Sequence, residues 1–168
     1  MKINGVNVLW RLSLFAAVAV FIFGCGKEEK YPIEPVITFK TISVFDNNNF
    51  TLTLGFTDGD GNIGLEKGDT SGVFSPDSVF YYNCFISFYR KNGEQYEPLN
   101  FTPPYYYRIP LLTPDERNKN IKGDIQVNVQ GLTVDGTEDT LLIDVYIADR
   151  SLNVSNKVSS TPFVLTRP

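Results

Sequence analysis

The sequence predicts an all-β domain: an antiparallel β-sandwich of seven or eight short strands. From Val36 onward, β-branched and aromatic residues alternate with polar ones at the two-residue period of a strand that buries one face. Turn residues cut this alternation into runs at Asp46-Asn47-Asn48-Asn49, Lys91-Asn92-Gly93, Thr102-Pro103-Pro104 and Asp135-Gly136. Nothing reads as a strand–helix–strand unit, so no parallel sheet is expected. These features fit an immunoglobulin-like or fibronectin type III-like sandwich, with a closed barrel as the structural alternative. The Cys-Trp-Cys signature of antibody domains is missing, because the single Trp is Trp10, so the likeness is one of architecture.

The elements follow in chain order. Lys2 and Arg11 precede an uncharged apolar run from Leu12 to Phe23, and Gly24 stands just before Cys25, which is the layout of a signal peptide. The run is shorter than the roughly 20 apolar residues a membrane-crossing helix needs. Ile22-Phe23-Gly24-Cys25 resembles the lipobox of bacterial lipoproteins, although Phe23 is bulkier than the small residue usual there. The resemblance implies that residues 1–24 are removed and that Cys25 takes the acyl chain. Residues 25–35 then read as a flexible tether, with few apolar residues and with Pro32 and Pro35 favouring extension. Lys27-Glu28-Glu29 also resembles the short acidic export signal of Bacteroidota lipoproteins, which implies the outer face of the outer membrane.

The domain proper spans residues 36–168, with strands expected near Val36–Val44, Phe50–Thr57, Val79–Arg90, Tyr96–Leu99, Tyr105–Leu111, Ile125–Leu132, Leu141–Asp149 and Val158–Thr166. Phe50, Leu52, Leu54 and Phe56 are separated by Thr51, Thr53 and Gly55, so one face of the second strand is apolar. Ile125, Val127 and Val129 alternate with Gln126 and Asn128, and Leu141, Ile143, Val145 and Ile147 share a face of a late strand. Thr113-Pro114-Asp115-Glu116 carries a capping residue before a proline and two acids, so Thr113–Lys122 is the one place for a helical turn.

Composition narrows the function. The net charge of −4 becomes −6 once Lys2 and Arg11 leave with the leader, and no Lys/Arg cluster remains to bind nucleic acid. With Cys25 committed to lipid, Cys84 has no disulfide partner and reads as a buried apolar thiol within Val79–Phe88. The chain contains no histidine, which excludes His general acid–base catalysis, Ser-His-Asp triads and His-ligated zinc. Asp124, Glu138 and Asp144 fall at positions that do not converge on a glycosidase pair, so no enzyme is expected.

One cluster carries chemistry. Thr57-Asp58-Gly59-Asp60-Gly61-Asn62-Ile63-Gly64 follows directly on a strand and offers acid, acid and amide at alternate positions, with glycines permitting a tight curl. Calcium takes six to eight oxygen ligands, so such a loop suits it. Counted from Asp58, the EF-hand template finds Asp58, Asp60 and Asn62 at positions 1, 3 and 5 and Asp69 at position 12. It fails at position 6, which is Ile63 and not Gly, and on the strand that precedes it. A second loop, Asp149-Arg150-Ser151-Leu152-Asn153-Val154-Ser155-Asn156, begins where the penultimate strand ends, at the pole an immunoglobulin-like sandwich shares with the end of its second strand. Asp149 is therefore a further candidate ligand for a structural calcium. Two alternatives stay open: Asp side chains bonding their own backbone, and Arg150 pairing with these acids.

Three blocks together resemble a recurring set in uncharacterised Bacteroidota lipoproteins of one immunoglobulin-like domain: Gly55–Leu65 with its Asp-Gly-Asp-Gly-x-Ile-Gly loop, Tyr107–Pro110 with Ile121–Ile125, and Ile147–Asn156 with its Ala-Asp-Arg-Ser-x-Asn-x-Ser-Asn motif. The resemblance implies the fold and the anchor and brings no activity with it. At Asn62 it leads one to expect Asp, so the loop here carries one charge less.

Aromatic residues give a second candidate surface. Tyr105, Tyr106 and Tyr107 follow Pro103-Pro104, with Tyr81, Tyr82, Tyr89 and Tyr96 in or near neighbouring strands, and such rings stack on sugars or anchor protein interfaces. Strand alternation turns about half of them inward. The expectation is a non-enzymatic, lipid-anchored sandwich presenting a binding or assembly surface to an outer-membrane protein. Glycan capture, as in accessory lipoproteins of glycan-uptake systems, is the competing reading.

Overall fold

Alternation in Phe50–Asp58 becomes a core in the most direct way: Phe50, Leu52 and Leu54 are essentially inaccessible, and Phe56 is buried beside them. In the computed structural model of the chain, residues 29–46, 48–112, 119–133 and 138–166 are described. The expected leader (1–24), Cys25, the Asp135-Gly136 turn and most of the Thr113–Lys122 segment lie outside them. Among the described residues no helix is long and apolar enough to cross a membrane.

The fold is an antiparallel β-sandwich. Strands β1 (Val36–Val44), β2 (Phe50–Asp58) and β6 (Ile121–Val129) form one sheet in the order β1-β2-β6. Strands β3 (Cys84–Asn92), β4 (Gln95–Leu99), β7 (Glu138–Ile147) and β8 (Val158–Ser159) form the other in the order β4-β3-β7-β8, with β5 (Tyr106–Tyr107) on β3 and β9 (Phe163–Thr166) on β7. This is the strand arrangement of an immunoglobulin-like sandwich.

Among the described residues nine strands stand where seven or eight were expected, and the differences have local causes. The run Val158–Thr166 divides because the Ser160 hydroxyl accepts from the Ile143 N–H in place of a ladder bond, and Pro162 has no N–H to offer. The run Val79–Arg90 opens as a 3₁₀ turn at Val79–Tyr81, capped by the Ser78 hydroxyl accepting from Phe80 N–H, and turns into strand only at Cys84. The run Tyr105–Leu111 keeps two strand residues. Beyond them the buried Asn83 side chain takes over, its carbonyl accepting from Ile109 N–H at 2.6 Å and its amide donating to Ile109 C=O at 3.1 Å.

In β1 a bulge between Phe39 and Thr41 shifts the register against β2. It moves the inward parity from Ile37 and Phe39 to Ile42, so all three reach the core from a strand whose sequence does not alternate cleanly. Leu141, Ile143, Val145 and Ile147 of β7 have no exposed surface, and burying each contributes about 1.5–3 kcal/mol. Phe50 joins the sheets, with its ring 6.3 Å from that of Phe88 and 5.1 Å from that of Phe163. Cys84 is fully buried and burial pushes its thiol up to about 12, so it packs as an apolar side chain.

Strand polarity defines two poles. Val36 pairs Thr57 and Asp58 pairs Ile121 at one end, where β7 also finishes; the β1–β2 turn at Phe45–Asn49 lies at the other. The tether also belongs to the first pole. Residues 29–32, read from sequence as free linker, are hydrogen-bonded to the domain there.

Candidate metal centre

The end of β2 and the end of β7 meet through backbone: Arg150 N–H donates to Asn62 C=O at 3.2 Å. The contact brings Asp58, Asp60 and Asp149 together, with one carboxylate oxygen of each lying within 4.8 Å of the others. Asp58 and Asp149 are almost entirely buried, at 0% and 1% exposure. Taking carboxylates out of water is costly unless a cation or a full set of donors compensates.

The donors do not suffice on the β2 side. Asp58 Oδ2 accepts from Asn62 N–H at 2.9 Å and Asp60 Oδ2 from the Asn62 amide at 2.8 Å. Asp58 Oδ1, Asp60 Oδ1 and Asn62 Oδ1 are buried with no hydrogen-bond partner. Among the described residues no cationic side chain pairs with Asp58, Asp60 or Asp149. Burial, followed by the charge of Asp60, pushes the Asp58 carboxyl up to about 6. Burial also raises Asp149. Asp149 is better furnished: Oδ1 accepts from Asn153 N–H and Oδ2 from the Asn153 amide, both at 2.8 Å.

Backbone geometry makes the curl possible. Gly61 has φ +71°, and a Cβ there would come within 2.7 Å of Lys119 C=O; at Gly59 a Cβ would collide with Tyr31 C=O. The loop thus lies pressed between the tether and the chain entering β6. The second loop turns through Leu152 at φ 66°, a left-handed conformation that costs a side-chain-bearing residue roughly 1–2 kcal/mol.

Of the five residues expected to bind metal, Asp58, Asp60, Asn62 and Asp149 converge and Asp69 does not. Asp69 Oδ2 accepts from Glu66 N–H at 2.9 Å and Oδ1 accepts from the Arg150 guanidinium at 2.9 Å. The EF-hand count placed Asp69 in the set, but after Ile63 the chain leaves the loop, with Leu65 bridging to Pro110. Arg150 also pairs with Glu66 at 3.1 Å, so its charge goes to the rim and not to the buried acids.

Polar residues throughout the second loop have structural tasks. Ser151 Oγ accepts from the Asn62 amide at 2.9 Å, Ser155 Oγ accepts from Ile147 N–H at 3.0 Å, and the Asn156 side chain accepts from Ile37 N–H and donates to Ile37 C=O. Sequence reasoning missed the roles of Asn153, whose amide donates to Asp149, and of Asn156, whose clamp on Ile37 spans 119 positions that no local pattern joins.

The three expected surface tyrosines do not share a face. The Tyr105 ring packs against Phe88 and Phe101 with its hydroxyl donating to Gly131 C=O, and Tyr107 packs against the core, burial pushing its phenol up to about 12. Tyr106 alone of the three joins the outer-face cluster, 5.0 Å from Phe85 and 6.0 Å from Tyr82, with Phe85 stacked on Tyr146 at 4.8 Å.

No protein-family model matches the chain, and no curated protein matches it.

Proposed function

We propose that this chain is a non-enzymatic envelope lipoprotein, anchored at Cys25 to the outer membrane and facing the cell surface, whose sandwich presents a binding or assembly surface. In this reading a structural calcium ion staples the ends of β2 and β7, with Asp58, Asp60, Asn62 and Asp149 as its protein ligands. The observation that carries it is the set of three buried, unpartnered oxygens on Asp58, Asp60 and Asn62 beside a buried Asp149. An all-oxygen, acid-rich set suits a hard cation, and it lacks the nitrogen and sulfur ligands that softer metals prefer. The hydrogen bonds from Asn153 leave lone pairs on the Asp149 carboxylate, so they orient it without using it up.

Isothermal titration of chelator-treated protein with calcium tests the site. One ion per chain is expected, with binding lost in Asp58→Asn. No heat at millimolar calcium would retire the proposal. Palmitate labelling lost in Cys25→Ala tests the anchor, and protease shaving of intact cells tests surface exposure.

The half-buried rings of Tyr82, Tyr106 and Tyr146, packed around the buried Phe85, favour glycan capture as a second reading, because ring faces on a sheet can stack on sugars. A glycan array on the domain tests it: sugar binding lost in Tyr106→Ala supports capture, whereas no sugar signal and an outer-membrane partner in a pull-down support assembly.

A further inference from the structure

The chain joins the domain at the cation pole and is held there before β1 begins. Tyr31 N–H donates to Asn120 Oδ1 at 2.7 Å, and the Asn120 amide donates back to Glu29 C=O. Pro32 C=O accepts from Gly59 N–H at 2.7 Å, inside the acidic loop itself. Lys122 pairs with Glu29 at 3.3 Å, and the Tyr31 hydroxyl donates to Glu29 at 2.6 Å. Gly59 leaves no space between loop and tether, as a Cβ at that position would run into Tyr31 C=O.

This docking shortens the free reach of the anchor. Cys25 precedes Glu29 by four residues, and an extended chain spans at most about 3.6 Å per residue, so the two lie within roughly 14 Å of one another. Nine-residue strands such as β1, β2 and β6 run for about 30 Å. With an acyl chain on Cys25, the near pole would stay within roughly 14 Å of the lipid attachment, whereas the far pole lies about 30 Å further along the strands. Exposed apolar side chains on the near pole include Ile33 in the docked tether at 56% exposure, Val154 in the second loop at 49% and Val36 at the start of β1 at 39%.

We propose that the cation pole is the membrane-facing end of the domain, resting on lipid headgroups with Ile33 and Val154 in the interface, and that the β1–β2 turn with its exposed Phe45 points away from the membrane. The proposal rests on the acyl anchor at Cys25. It assigns the far pole and the distal parts of both sheets as the surfaces open to a partner, and it sets the Tyr106 cluster, next to the end of β7, close to the membrane-facing pole.

The test uses full-length protein processed in a lipoprotein-exporting bacterium and reconstituted into phosphatidylcholine vesicles carrying doxyl-labelled lipid. The only Trp, Trp10, lies in the segment removed, so Val154→Trp and Phe45→Trp each introduce a single reporter. Flotation with the vesicles reports the anchor, and quenching reports orientation. The expected result is flotation of both variants, with quenching several-fold stronger and emission blue-shifted for Val154→Trp relative to Phe45→Trp. Flotation with equal or reversed quenching overturns the orientation and leaves the anchor standing. Failure to float removes the anchor, and the orientation with it.

Discussion

Two turns of this domain are built from the same residue types and behave in opposite ways. At the far pole Asp46 accepts from Asn48 N–H at 2.9 Å and from the Asn49 amide through both oxygens, all in solvent, and the backbone bond holds its carboxyl below the usual range. At the near pole Asp58 is buried, one of its oxygens has no partner, and its carboxyl is pushed up to about 6. Both turns are rich in Asp and Asn. Burial without compensation is what distinguishes a turn that is complete as folded from one that leaves carboxylate oxygens without partners.

The largest effect separating the two is the response to calcium. At a concentration one hundred times its Kd, an ion bound only by the folded state adds about 2.7 kcal/mol, or roughly 10 °C in Tm for a domain of this size. Thermal unfolding in calcium against chelator is expected to show this shift in the wild type and in Asp46→Asn, and none in Asp58→Asn. Equal responses in the two variants would erase the distinction between the turns.

Proton linkage gives the next contrast. Asp58 has a folded value near 6 and an unfolded value near 4, so between those pH values the metal-free folded state holds the extra proton. Metal-free stability is therefore expected to fall as pH rises from 4 to 7, by on the order of 2 kcal/mol. The proposed calcium would bind the deprotonated acids, so at saturating calcium the trend is expected to reverse. Asp46 has the opposite sign: its lowered value stabilises above pH 4 and that contribution is lost as pH falls through the folded value. Denaturant midpoints at pH 4.5 and 7, with calcium and with chelator, read the Asp58 trend, and a further midpoint near pH 3 reads Asp46. A metal-free midpoint that rises with pH would contradict the burial of Asp58 as a charge without compensation.

Much of this was legible in the sequence, for identifiable reasons. Strand β2 was legible because its alternation is strict, and the joint placement of Asp58 and Asp149 followed from sandwich topology. Asp69 was misplaced because the EF-hand count presumes that the chain stays around the ion for twelve residues, whereas here it leaves after Ile63 for Pro110. The docked tether was illegible, since Tyr31 and Asn120 are 89 positions apart and no periodicity joins them. Tyr105 and Tyr107 illustrate alternation overriding composition: three adjacent rings suggested a patch, and the pleat sent two of them to the core.

A smaller effect tests the support of the ion. Asn153→Ala removes the side-chain bond to buried Asp149 Oδ2 and leaves the backbone bond to Oδ1, at an expected cost of about 1.5 kcal/mol together with weaker calcium binding. The change at the far pole, Asn49→Ala, exposes Asp46 to water that replaces its lost bonds and also removes the acceptor of Gly131 N–H, so it costs stability while its effect on calcium binding is expected to be nil. Calcium titration of the two variants side by side would show whether the near-pole asparagine acts on the ion or only on the loop.

The smallest effect is expected at Arg150, and it decides between the metal and its rival. The guanidinium is partly exposed and pairs with Glu66 and Asp69, both outside the acidic cluster. Exposed pairs of this kind contribute about 0.2–1 kcal/mol, so Arg150→Gln should lower stability by roughly 0.5 kcal/mol, less at high salt, with calcium stoichiometry unchanged. If Arg150 were instead the charge that neutralises Asp58, Asp60 and Asp149, removing it would leave buried carboxylates uncompensated, which costs about 3–5 kcal/mol. The two outcomes differ several-fold, and urea unfolding of this one variant in chelator separates them. A loss of several kcal/mol would make the arginine, and not calcium, the counter-charge of the buried acids.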